Sequence, residues 1–213
     1  LPYGRGLSAL FAGPPGTGKT MICSLLAKEL GLELYRIDLS QVVNKYIGET
    51  EKNLGRVFDE AARGQVMLLF DEADSLFAKR TEVRSSNDRY ANLEVNYLLQ
   101  RLEAHEGVVV MTTNSENALD PAMRRRIRFR LRFPAPDEAQ RTRLWQGMVP
   151  KEAQLADDVD LSVLAKRFPL AGGNIMNALV RAATAAAADG GPIRQQHLVR
   201  AAEFEYAEMG FLA

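Results

Sequence analysis

The sequence predicts an α/β fold in which a parallel sheet carries helices on both faces and is followed by a small all-helical unit. Three observations carry this reading. A Gly-rich turn, Gly13-Pro14-Pro15-Gly16-Thr17-Gly18-Lys19-Thr20, stands between a short apolar run and a helix-forming run. Short apolar segments then alternate with helical patterns as far as Phe133. Beyond Pro134-Ala135-Pro136-Asp137 only helical patterns follow. The expected division is therefore 1–136 for the α/β part and 137–213 for the helical part.

Each element has its own warrant. Leu7 to Ala12 is apolar and ends in the Gly-Pro turn, so it reads as a buried strand and a loop. Thr20 to Leu30 reads as a helix stopped at Gly31. Glu33 to Asp38 alternates like a strand, and Thr50 to Ala62 places Leu54, Val57 and Phe58 at helical spacing. Val66 to Phe70 is short, continuous and apolar, the pattern of a central strand buried on both faces. Asn87 to Ala104 reads as a long amphipathic helix and Val108 to Thr112 as another buried strand. Ile127 to Phe133 alternates apolar residues with arginine, which predicts a half-buried strand towards one edge of the sheet. Asp137 to Met148, Leu161 to Arg167, Gly173 to Asp189 and Gln195 to Met209 read as four helices, the third rich in alanine.

Bulk composition narrows the function classes. Lys+Arg and Asp+Glu both number 27, and this balance argues against a dedicated nucleic-acid binder. Cys23 is the single cysteine, so no disulfide framework forms within the chain and a reducing, cytoplasmic compartment is expected. Its neighbours Met21, Ile22, Leu25 and Leu26 make it a small core residue rather than a reactive thiol. No apolar run has the length of a membrane span. The strongest motif begins twelve residues into the chain, which reads as a segment of a longer protein.

The Gly-rich turn satisfies the phosphate-loop pattern of a P-loop NTPase sheet. Glycines let backbone N–H groups turn inward around an anion, and the next helix presents its unsatisfied N–H groups. Lys19 would set a compact cation against the β- and γ-phosphates, and the Thr20 hydroxyl would ligate Mg²⁺. Met67-Leu68-Leu69-Phe70-Asp71-Glu72 ends a buried strand in two carboxylates, at the edge where parallel sheets bind ligands. Asp71 would hold the Mg²⁺ shell and Glu72 would polarise the attacking water.

Three further features stay open on chemistry alone. Asn114 after the strand at Val108 is as well explained by a turn as by a water-orienting role. Arg124-Arg125-Arg126-Ile127-Arg128 could supply a guanidinium to a neighbouring subunit or contact nucleic acid, but charge alone favours a solvated basic helix end. Tyr46 and Ile47 in Lys45-Tyr46-Ile47-Gly48-Glu49 are either a loop surface or local packing. The isolated His105 and His197 give no zinc pattern and no nucleophile triad.

Together these residues resemble the AAA proteins of the AAA+ class, the clade of katanin, spastin and related protein remodellers. The resemblance covers nearly the whole chain and implies a hexameric ATPase using ATP/ADP and Mg²⁺, with a helical lid on the P-loop sheet. It makes Lys45 to Leu54 the first pore loop and its helix, with Tyr46 the aromatic that grips a protein substrate. Asp71 to Ser75 is similar to the clade's second nucleotide motif, and Thr112-Thr113-Asn114 to its first sensor. Leu119-Asp120-Pro121-Ala122-Met123-Arg124-Arg125 is similar to the segment ending in the first arginine finger, Arg125. Arg126 and Arg128 both remain as the second: many members have Arg-Pro-Gly-Arg-Phe, which selects Arg128, adjacent arginines select Arg126, and the Pro-Gly is missing here. Ala171-Gly172-Gly173-Asn174-Ile175 stands where the clade has a Gly-Ala or Ser-Gly-Ala-Asp segment near adenine, with Asn174 replacing the common residue. Leu34 to Ser40 and Asp88 to Asn96 look most like bacterial AAA ATPases encoded with phage-tail-like contractile injection particles. The expected function is ATP-driven remodelling of a protein by a ring of identical subunits. A nucleic-acid motor and a nucleotide-switched scaffold are the alternatives, disfavoured by the neutral charge and by Glu72 with Arg125 respectively.

Overall fold

Alternation of apolar side chains along the strands decides which helix covers which face of the sheet. The computed structural model describes residues 6–38, 49–74, 96–115 and 125–210. The strands are β1 (Leu7–Ala12), β2 (Glu33–Asp38), β3 (Val66–Asp71), β4 (Val108–Thr113) and β5 (Phe129–Arg132). All pair in parallel, in the order β2-β3-β4-β1-β5. Successive side chains on a strand point to opposite faces. Leu10 and Ala12 of β1, Leu68 and Phe70 of β3, and Val109 and Met111 of β4 therefore share one face. The intervening Ala9, Phe11, Met67, Leu69 and Val110 share the other. The register Leu10↔Met111 and Phe70↔Met111 keeps each set aligned across the sheet.

Helices cover both faces. Helix α1 (Lys19–Glu29) lays Cys23 and Ala27, four residues apart, on the second face. Helix α2 (Glu49–Arg63) lays Leu54, Phe58 and Ala61 on the first, and Leu98 and Leu99 join them from α3, helical over 96–104. The beginning of the long helix expected from Asn87 lies outside the described residues.

Strand β5 departs from expectation. It covers four residues rather than Ile127 to Phe133, and all four are exposed. Among the described residues its one strand neighbour is β1, so it is an edge there, as expected, and the charges of Arg130 and Arg132 suit an edge that must not pair further. Burial falls instead on the flanks: Ile127 enters the first-face core and the Phe133 ring tilts against Phe11 with centroids 5.1 Å apart.

The chain separates into two compact units. One carries the sheet. The other holds α4 (Glu138–Met148), α5 (Leu161–Arg167), α6 (Gly172–Ala188) and α7 (Gln195–Glu208), and the loop tip Pro14–Gly18 groups with it. Its core gathers Trp145, Leu164, Leu170, Ile175, Leu179 and Leu198. Helix α4 starts where Asp137 accepts from the Gln140 N–H at 2.7 Å while the Gln140 side chain accepts from the Asp137 N–H at 2.9 Å. Among the described residues the regular structure of this unit is helical apart from one isolated bridge, Leu155 to Ile193.

Candidate functional site

Parallel pairing delivers the ends of β1, β3 and β4 to one edge of the sheet, with β4 between the other two. The loop leaving β1 is anchored there. The Gly13 N–H donates to the Thr113 carbonyl at 3.1 Å. A Cβ on Gly13 would stand 2.0 Å from the Phe133 carbonyl oxygen, so no other residue fits. At the start of α1, Lys19 is only 8% exposed. Its Nζ donates to the Gly13 carbonyl at 2.7 Å and to Asn114 Oδ1 at 3.1 Å. Burial pushes the ammonium below the ordinary lysine value, while the carboxylates of Asp74, Asp71 and Glu72 pull it back up.

Asp71 closes the other side. The Thr20 hydroxyl lies 3.2 and 3.3 Å from its two oxygens, and Arg36 of β2 pairs with it at 2.6 Å. Thr112 of β4 donates its hydroxyl proton to Asp71 and accepts from the Glu72 N–H at 3.0 Å. The next amide, Ala73, donates to the Thr112 carbonyl at 2.9 Å. These two backbone ties hold Glu72 at a φ of 54°, the one positive φ among the described non-glycine residues. Such a conformation costs about 1–3 kcal/mol and persists only where the surroundings impose it. It leaves the Glu72 carboxylate exposed beside the buried Asp71.

Asp74, which the residue pattern did not single out, organises the end of β4. It accepts from the Thr113 hydroxyl and from the Asn114 N–H at 2.9 Å. Asn114 is thus fixed by its backbone to Asp74 and by its side chain to Lys19. Arg36 and Thr112 were missed as well, because their roles depend on strand register. For Asp74 a signal existed, a third acid three residues past Asp71 in a segment already marked.

Oxygen donors beside the Lys19 ammonium suit a magnesium nucleotide. Mg²⁺ is commonly held by one or two protein oxygens, with phosphates and water supplying the rest. Thr20 with Asp71 offers that pair. Among the described residues no cluster of three or more His, Cys, Asp or Glu is placed to hold a metal by itself.

Arg125, Arg126 and Arg128 stand away from Lys19. They line an open cleft of about 670 Å³ with Ser8 and Glu103, near the start of β1 rather than its end. Five residue steps of strand separate Ser8 from Gly13, about 17 Å at 3.3 Å per residue. Arg126 is ion-paired with Glu103. In the helical unit, the Gly173 N–H donates to the Gly16 carbonyl at 2.9 Å. The Asn174 amide donates to the buried Glu205 at 3.4 Å, and Glu205 also holds Arg181 at 2.9 Å. Tyr46 and Ile47 lie outside the described residues.

Residues 9–136 match the sequence model of the AAA family, the ATPase family associated with various cellular activities. The chain is 37% identical over 161 residues to the Cell division cycle protein 48 homolog of Archaeoglobus fulgidus, a match covering 74% of this chain. It is 35% identical over 178 residues to the ATPase family gene 2 protein of Schizosaccharomyces pombe, covering 82% of this chain. Each match spans 22% of the relative's own length.

One residue near the site is inert by the same physics that tunes Lys19. Cys23 is fully buried, and burial first, then Asp71, pushes its thiol from 9.0 up to about 12. At pH 8 the folded chain should react with iodoacetamide about a thousandfold more slowly than a free cysteine, on thiolate fraction alone. Denaturant should abolish the difference. Because only the unfolded chain ionises this thiol above its ordinary value, stability should fall as pH rises through 9. Rapid labelling of the folded protein would contradict the buried position.

Proposed function

This chain belongs to the AAA family of ATPases, and we propose that it is a motor domain that binds and hydrolyses ATP and, as a ring of identical subunits, remodels a protein substrate. Residues 1–136 form the nucleotide-binding part and 137–213 the lid. The observation that carries this reading is the convergence of Lys19, Thr20, Asp71, Glu72 and Asn114 on the loop edge of one parallel sheet.

Each residue then has a role set by its surroundings. Main-chain N–H groups of Gly13 to Thr20 cradle the phosphates, and Lys19 supplies the cation. Thr20 and Asp71 hold Mg²⁺, whose chemistry when bound is to neutralise charge on the phosphates. Glu72 orients and polarises the attacking water from a backbone that Thr112 keeps in place. Asn114, steered by Asp74, fixes the far side of that water. The family resemblance assigns Gly173 and Asn174 to the adenine. No covalent intermediate is required, since phosphoryl transfer depends on positioning and charge.

Arg125 acts on the nucleotide of a neighbouring subunit, with Arg126 or Arg128 as the second guanidinium. The separation of this segment from its own Lys19 by the length of β1 supports that arrangement. The hexamer, the pore-loop role of Tyr46 with Ile47, the kinship with katanin and spastin and the narrower likeness to bacterial injection-particle ATPases rest on sequence resemblance. A cytoplasmic site of action rests on the single cysteine. No helix among the described residues is long and apolar enough to cross a membrane.

Glu72→Gln keeps the size of the side chain and removes its charge. ATP affinity by calorimetry should hold, while turnover should fall by at least about a hundredfold. Parental turnover would assign the water to another residue. Tyr46→Ala separates the motor from its task. ATP hydrolysis, melting temperature and oligomer mass should stay near parental while translocation or unfolding of a tethered protein substrate is lost. A variant that melts early and hydrolyses poorly would make Tyr46 a packing residue, and one that remodels at the parental rate would remove it from the mechanism.

A further inference from the structure

We propose that Ser8 is a positioning residue for the arginine segment, and so acts on the nucleotide of the neighbouring subunit rather than on its own. The inference rests on the reading of Arg125 given above.

The β1–β5 ladder begins at the pair Ala9↔Phe129. One residue earlier the side chain of Ser8 takes over from the backbone. Its Oγ donates to the Arg126 carbonyl at 3.4 Å and accepts from the Arg128 N–H at 3.2 Å. The one hydroxyl therefore bridges the residues on either side of Ile127, which is 6% exposed and packed in the first-face core. Glu103 of α3 adds a third hold through the Arg126 guanidinium. Backbone is fixed at 126 and 128, and Arg125 departs from the fixed end.

A hydroxyl is needed because a single atom must both donate and accept. Threonine meets that demand and suits a strand; valine has the same shape and offers neither bond. Ser8 is partly exposed, so water can replace the lost bonds and the fold tolerates valine. What water does not replace is the direction in which Arg125 leaves the chain. Misplacing a charge-stabilising group by about 1 Å costs on the order of a hundredfold in rate.

Two kinds of subunit isolate this effect. Arg125→Ala subunits keep a complete nucleotide pocket but offer no first arginine. Lys19→Ala subunits bind no nucleotide and serve only as arginine donors, so mixing the two should restore hydrolysis. Ser8→Thr or Ser8→Val is then added to the donor alone. We expect the Thr donor to restore activity and the Val donor to fall short by about ten- to a hundredfold, at equal mixed-oligomer mass and equal melting temperature. Equal rescue by the Thr and Val donors overturns the proposal and leaves the arginine reading intact. So does a Val donor that fails to co-assemble or melts early, since its defect would be one of folding or assembly. Absence of rescue by the plain Lys19→Ala donor, with mixed oligomers verified by mass, overturns the arginine reading itself.

Discussion

Lys19 carries a positive charge into a place where 8% of its surface reaches solvent. Burial disfavours that charge, and the chain answers with carboxylates: Asp74, Asp71 and Glu72 all act on it. Its direct partners include a carbonyl and an amide oxygen, Gly13 O and Asn114 Oδ1. Such neutral acceptors orient an ammonium without cancelling its charge. A cation so held, at the first residue of a helix and beside a loop of upturned glycines, is a receptor for an anion. Most of the neighbouring geometry follows from keeping that cation in position.

The sheet order makes this possible. Because β4 lies between β1 and β3, its last residues touch both the loop and the acidic strand end. Thr112 ties to Asp71 and Glu72, and Thr113 ties to Gly13 and Asp74. Two adjacent threonines, with side chains on opposite faces, thus couple the glycine loop to the Asp71-Glu72 strand end. The left-handed Glu72 is the strained point of this network, and the Thr112 bonds are what over-determine it.

Much of this was legible in the sequence. Short apolar runs located β1, β3 and β4, alternation located β2, and helical patterns located all four helices of the second unit, each within a residue or two. The loop and the acidic pair were legible because their chemistry is compressed into contiguous residues. Strand β5 was less so: alternating arginines imitate a half-buried strand, whereas on an edge they face solvent. Thr112, Asp74, Arg36 and Ser8 act through partners 35 to 120 residues away. Those pairings depend on strand order and register, which no local pattern encodes. Tyr46, Ile47 and part of the long helix fall outside the described residues.

Removal of the Lys19 charge tests the central claim most directly. Calorimetric titration of ATP into the parent chain and into Lys19→Ala, with Mg²⁺ present and circular dichroism matched, reads the cradle without relying on turnover or assembly. Loss of measurable ATP binding in the variant, with the fold retained, is the predicted result. An unchanged dissociation constant would contradict it, and would mean that the buried cation at the start of α1 is not where the phosphates bind.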